Sequence, residues 1–165
     1  MKDFIKLSRS TVEKYLSCPR CCVLDKKYQI RPPSLPFTLN IAVDNLCKNE
    51  FDHYRRRQIP HPLFIKNKIE AVPFQHKDLD DWRSNLKGIR YKSIEYGYDF
   101  GGAIDDVWLK NNGELIVVDI KATSRNVFDW FETFNKYEYA KAYKRQLEMY
   151  QWLFKKNGFQ VAKEA

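Results

Sequence analysis

One stretch of the chain, Gly101 to Lys121 (GGAIDDVWLKNNGELIVVDIK), leaves little freedom in how the rest can fold. Leu115-Ile116-Val117-Val118 is apolar at every position, so both faces of that segment must be covered, as in a central strand. Asn111-Asn112-Gly113 precedes it, and Asn-Gly supplies the positive φ angles that a tight hairpin turn needs. The stretch therefore reads as two strands folded back on each other, Gly102 to Leu109 and Glu114 to Lys121. The two-residue period of a strand puts Asp119 and Lys121 on one face and Ile120 on the other. With pairing in register about the turn, Asp105 lies close to Asp119, which brings two carboxylates and an ammonium together at the end of a core strand.

Such a strand needs partners on both sides, and a chain of 165 residues, 44% hydrophobic and 15% aromatic, has the material to supply them within one domain. Its net charge of +8 and pI near 9.3 favour a polyanionic partner, because clustered lysines and arginines release counterions from phosphates. No apolar run approaches the roughly 20 residues of a membrane helix. The N-terminus, MKDFIKLSRS, lacks the apolar centre of a signal peptide, and a cytoplasmic location is expected. Four cysteines, with Cys21 and Cys22 adjacent, make a poor disulfide framework and are expected as free thiols or metal ligands.

Ser10-Thr11-Val12-Glu13 fits a capping box that starts a helix, with Val12, Tyr15 and Leu16 as its apolar stripe until Cys18-Pro19 interrupts. A second short helical piece ends near Tyr28, and Arg31 to Pro36, with its three prolines, is a loop or extended connector. From Thr38 to about Arg57, Leu39, Ala42, Val43, Leu46, Phe51 and Tyr54 follow a helical spacing. Asp44, Cys47 and Lys48 share a face of that helix, and Asp44 is expected inside a mostly buried element. Arg55-Arg56-Arg57 ends the helix and suits either a solvated C-terminus or phosphate contact. Asp78 to Leu86 reads as a short helix stopped by Gly88, and Ile89 to Tyr98 as the strand before the hairpin, making at least three consecutive strands. An aromatic connector with Phe128, Trp130, Phe131 and Phe134 then leads into a helix from about Tyr137 to Asn157, stopped by Gly158. Gln160-Val161 reads as the entry to one more strand. Because the chain stops soon afterwards, at Ala165, it is expected to lack its natural C-terminal end.

A carboxylate pair with a lysine suits metal-assisted phosphodiester hydrolysis, since Mg²⁺ takes oxygen ligands and is commonly held by one or two carboxylates plus phosphate oxygens. The ammonium would orient water and stabilise developing charge. Asp-x-Lys at a strand end also fits a plain structural salt bridge.

Four segments, in order, resemble the PD-(D/E)XK nuclease superfamily and, within it, the RecB-like branch that includes CRISPR-associated exonucleases. Leu7-Ser8-Arg9-Ser10 through Tyr15-Leu16-Ser17-Cys18-Pro19-Arg20 is similar to that branch's N-terminal helix signature. Gly102-Ala103-Ile104-Asp105 resembles its Gly-x-Ile-Asp strand, and Val118-Asp119-Ile120-Lys121 its Asp/Glu-x-Lys step. Gln146-Leu147-Glu148-Met149-Tyr150 resembles its Gln-x-x-x-Tyr helix, whose two named residues lie one turn apart on one face. The resemblance covers nearly the whole chain and implies one domain over residues 1–165. The fold it implies is an α/β, restriction-endonuclease-like core with a central mixed β-sheet flanked by helices.

The resemblance further implies Asp105 and Asp119 as side-chain metal ligands and Ile120 as a ligand through its backbone carbonyl. Lys121 would be the catalytic lysine, with Gln146 and Tyr150 lining the site. Relatives usually place a histidine or glutamate on the long helix as a further ligand; the best-placed residue here is Asp44, with Glu50 and His53 as alternatives. By strand alternation Asp106 faces away from Asp105 and suits a salt bridge. The implied activity is a Mg²⁺- or Mn²⁺-dependent deoxyribonuclease acting on single- or double-stranded DNA in repair, recombination or defence, with a helicase or CRISPR protein as possible partner. The alternative is a non-catalytic nucleic-acid-binding or adaptor domain of the same fold. A four-cysteine iron-sulfur cluster of the kind some relatives hold is not expected, since no cysteine follows Cys47. Cys18-x-x-Cys21 also suits a zinc half-site, while Cys22 and Cys47 read as small core residues. Lys136, Lys141, Lys144 and Arg145 suit either a phosphate-gripping rim or a solvated helix face.

Overall fold

The computed structural model describes residues 4–33, 38–122, 129, 133 and 136–165. Strand β1 (Ile5–Ser8) runs directly into helix α1 (Arg9–Ser17), and the Ser8 hydroxyl caps that helix by accepting from the Thr11 amide at 3.2 Å. The cap is therefore Ser8 rather than Ser10. A chain leaving a strand in extended backbone already has the φ and ψ of an N-cap, so the helix starts as soon as the strand ends. Cys18 caps α2 (Pro19–Tyr28), where Pro19 occupies a first-turn position that needs no amide. Cys18 is also joined to Cys21 in a disulfide, which corrects the expectation of free thiols or a zinc half-site for this pair. Cys22 is a buried core residue, and Cys47 is partly exposed.

Helix α3 (Thr38–Arg57) has the extent its spacing predicts. It is not mostly buried, however. Leu39, Ile41 and Leu46 in its first half are exposed, Leu39 at 74%, and it is the second half that packs down through Phe51 and Arg55. Arg55 accordingly does not belong to a solvated or phosphate-binding terminus. It is buried against Asp106 and Asp52, while Arg56 and Arg57 face outward.

Helix α4 (Pro62–Asn67), strand β2 (Ala71–Pro73) and helix α5 (Leu79–Arg83) follow, short elements that the sequence patterned weakly. The segment expected as one strand over Ile89 to Tyr98 is two elements, β3 (Ile89–Ser93) and the start of β4 (Tyr98–Gly102), joined by a reverse turn with Gly97 at φ 67°. The hairpin is likewise interrupted on its first side. Strand β4 ends at Gly102 and β5 begins at Asp106 (Asp106–Lys110), because Ile104 turns inward, is 1% exposed and bonds through its amide to the Trp82 carbonyl at 3.1 Å. Strand β6 (Leu115–Val118) pairs antiparallel with β5, Asp106 opposite Val118. At the turn only Gly113 has positive φ, 86°, and its amide bonds the Lys110 carbonyl at 3.0 Å. This is a three-residue connection with one glycine in the left-handed position, rather than a two-residue turn with both residues there.

The strands form two ladders. β1-β4-β3 is mixed, with β1 parallel to β4, and β2-β5-β6 is antiparallel. Helix α6 (Glu138–Lys156) crosses the strands, after which Val161 pairs with Leu115 in a parallel bridge, where a further strand entry was expected. One core cluster joins Leu153, Phe154 and Tyr150 of α6 to Val107, Val117, Phe100, Ile104 and Trp82, and a second joins Phe51 and Phe64 to Trp108 and Ile116. Val117 and Ile116 thus face opposite clusters, which is why the β6 run is apolar throughout. Fully burying side chains such as Leu153 and Phe154 contributes about 1.5–3 kcal/mol each. Phe128, Trp130, Phe131 and Phe134 of the aromatic connector lie outside the described residues.

Candidate active site

Three parts of this fold converge on a cleft of about 640 Å³: the start of α1, the first half of α3, and the ends of β4 and β6 with α6 behind them. Asp44, Asp105, Asp119, Ile120, Lys121, Gln146 and Tyr150 all line it. Glu50 and His53, the alternatives to Asp44, do not. Glu50 bonds His61 Nε2 at 3.0 Å, and the exposed His53 packs edge-on against Tyr54.

Asp105 sits in the bend between β4 and β5 and is fixed from three sides. Its Oδ2 accepts from the Ile120 amide at 2.7 Å, its carbonyl from Arg83 Nε at 3.1 Å, and its Oδ1 lies 3.4 Å from Lys48 Nζ. Asp106 points the other way, fully buried, and is ion-paired with Arg55 and with Arg83, the latter at 3.2 Å. The opposed directions of these two aspartates are those expected of successive residues where the chain enters β5.

Asp119 lies just past the end of β6, with its side chain 3% exposed. Gln146 Nε2 donates to its Oδ1 at 2.7 Å, and Lys121 is ion-paired with it. The Asp119 carboxyl is raised to about 6, chiefly by burial, against the opposing pull of Lys121 and with a smaller upward push from Asp105. The Lys121 ammonium also stands 5.1 Å from the Tyr143 ring centroid. Gln146 and Tyr150, one turn apart on α6, are both buried, and Gln146 Nε2 reaches the Tyr150 hydroxyl at 3.3 Å. The Tyr150 hydroxyl is pushed above its usual range by burial, opposed by the nearby positive charge of Arg9.

Several residues to which the sequence assigned no role in the site belong to it. Lys48 bridges Asp44 and Asp105, Arg9 reaches Tyr150, and Ser8, Ser10, Asn40 and Asn85 line the cleft. The position of Lys48 one turn after Asp44 on the same helix face is the sequence signal that points to it. Of the basic residues expected near α6, Arg145 pairs with Glu13 of α1 and Lys144 lies 3.9 Å from Glu148.

Among the described residues, no three His, Cys, Asp or Glu side chains are gathered in a ready ligating cluster. The donors do fit a hard cation held by one or two carboxylates. Asp105 and Asp119 adjoin, Ile120 lines the same cleft, and Asp44 Oδ1 is a buried carboxylate oxygen with no protein partner.

An α/β fold with one mixed and one antiparallel ladder flanked by helices, and with Asp-x-Lys past the end of a core strand beside an aspartate from the bend before the neighbouring strand, is consistent with the restriction-endonuclease-like architecture. The chain belongs to the PD-(D/E)XK nuclease superfamily, whose family model matches residues 6–165. Comparison with curated proteins and with solved structures gave no match.

Proposed function

We propose that this protein is a Mg²⁺- or Mn²⁺-dependent deoxyribonuclease of the RecB-like branch, hydrolysing DNA phosphodiester bonds in repair, recombination or defence in the cytoplasm. The observation that carries this reading is the convergence of Asp105, Asp119 and Lys121 in one cleft, with Gln146 fixing Asp119 from behind. A non-catalytic binding domain has no need of that arrangement.

On this reading Asp105, Asp119 and the Ile120 carbonyl would hold the cation, with Asp44 as a further ligand from α3. A divalent cation there supplies Lewis acidity to the phosphodiester. Lys121 donates hydrogen bonds to the attacking water and to the phosphoryl oxygens that gain charge, its own position set by Asp119. Gln146 aims the Asp119 carboxylate and favours its ionised form by donating to it. Arg9 and the net charge of +8 supply attraction for the DNA backbone.

The test is cleavage of end-labelled single- and double-stranded DNA with Mg²⁺, Mn²⁺ or EDTA, comparing the wild type with Asp119→Ala and Lys121→Ala. Cation-dependent cleavage lost in both variants supports the reading. A folded wild type that binds DNA and never cuts it overturns the catalytic assignment.

A further inference from the structure

Lys48 lies one turn after Asp44 on α3, and its ammonium touches two separate parts of the fold. Nζ is 2.7 Å from Asp44 Oδ2 on its own helix and 3.4 Å from Asp105 Oδ1 in the bend before β5, 57 residues further along the chain. The side chain is 19% exposed, well below a free surface lysine. Asp44 keeps its second oxygen, Oδ1, buried and without a protein partner, on the border of the cleft that Asp105 and Asp119 share. A simple i,i+4 helix pair requires neither the contact to the hairpin nor the orphaned oxygen.

We propose that Lys48 is a positioning residue that acts as a resident counter-charge. It holds the α3 acid against the hairpin acid, and it competes with a divalent cation for the same two carboxylates. The inference rests on the reading of Asp105 and Asp119 as cation ligands. Asp44, Asp105 and Asp119 are three carboxylates facing the two ammonium groups of Lys48 and Lys121, so the group carries about one net negative charge. Adding a divalent cation while both lysines stay would make it net positive, so binding favours release of the Lys48 ammonium. Lys121 is tied to Asp119 and belongs to the chemistry, whereas Lys48 spans the two acids that come from different elements.

The experiment is calorimetric titration of Mn²⁺ and of Ca²⁺ into the full chain without DNA, with thermal melting of each protein with and without the cation. Lys48→Met and Lys48→Gln remove the charge and keep much of the stem. Both are expected to bind the cation on the order of tenfold more tightly than wild type, with a larger cation-induced rise in melting temperature. Lys48→Arg keeps the charge and is expected to stay within about twofold of wild type. Asp119→Asn serves as the control for the ligand assignment. If wild type binds, Asp119→Asn abolishes binding, and the Met and Gln variants bind equally or more weakly, the role given to Lys48 is overturned and the ligand assignment stands. If neither wild type nor any Lys48 variant binds a cation, both fail together.

Discussion

The ring of Tyr150 stands where a side chain on Gly102 would have to go, since a Cβ built on Gly102 meets Tyr150 Cε1 at 2.7 Å. The last residue of β4 is thus glycine because a buried tyrosine of α6 packs directly on its backbone. Gly102→Ala must push Tyr150 aside, and with it Gln146 and the carboxylate that Gln146 holds. The expected cost is about 1–3 kcal/mol of stability. DNA cleavage should fall by at least tenfold, on the order of what misplacement near the chemistry produces. Melting temperature and single-turnover cleavage, measured on the same preparation, check both parts.

Asp119 gives the site a pH dependence with two opposite signs. Its carboxyl is raised from 3.8 to about 6 in the folded protein, chiefly by burial. Cation binding and cleavage need the ionised form, so both should decline as pH falls through about 6. Stability without cation should move the other way. Between the unfolded and folded pKa values the folded state binds more protons, so the contribution of Asp119 to stability rises as pH drops from about 6 towards 3.8 and is constant below that. Urea unfolding in EDTA across this window, compared with Asp119→Asn, should show the slope in wild type and its loss in the variant.

Adjacent aspartates should respond to mutation in different ways. Asp106 is fully buried between Arg55 and Arg83, so Asp106→Ala takes away their buried counter-charge, leaves the partly exposed Asp52 as the carboxylate they still share, and is expected to destabilise by about 3 kcal/mol. Arg55 is lowered to about 10, by burial against the raising effect of Asp106, so it stays charged at neutral pH. Asp105→Ala, at the cleft, should abolish cleavage with a much smaller change in urea midpoint. Equal destabilisation by the two variants would refute the division of roles.

Gln146→Leu removes the donor at 2.7 Å from Asp119 Oδ1, and with it a hydrogen bond that favours the carboxylate. The acid limb of the pH–rate profile should move to higher pH, and cleavage at neutral pH should fall about tenfold or more. A profile that scales down without moving would mean Gln146 acts on substrate rather than on Asp119.

Local register made the centre of this site legible in the sequence. The apolar β6 run and the turn at Gly113 are enough to bring Asp105 beside Asp119, and the spacing of apolar residues located α3 and α6. What escaped was set by distant contacts. The bend at 103–105 exists because Ile104 bonds to Trp82, and no pattern within the hairpin announces that. Three arginines in a row resemble a solvated helix end; that Arg55 is buried follows from Asp106, 51 residues away. Lys48 reaches Asp105 across a similar separation. Strand β1 with four residues and β2 with three are too short to display a period, and β2 also contains Pro73. Cys18-x-x-Cys21 reads in the sequence as free thiols or a metal half-site, and the disulfide shows only once the two sulfurs are placed.

The back-to-back placement of Asp105 and Asp106 also guards against misalignment. If the hairpin closed one residue out of step, either Val107 would meet Arg55 and Arg83, or Asp105 would be drawn inside and Ile104 would be left facing the cleft. Each error strands a charge in the interior or removes an acid from the cleft, and the first is heavily penalised. The register that pairs Asp106 with the buried arginines is thus also the one that turns Asp105 to the cleft, so the same alignment serves the interior and the acidic centre.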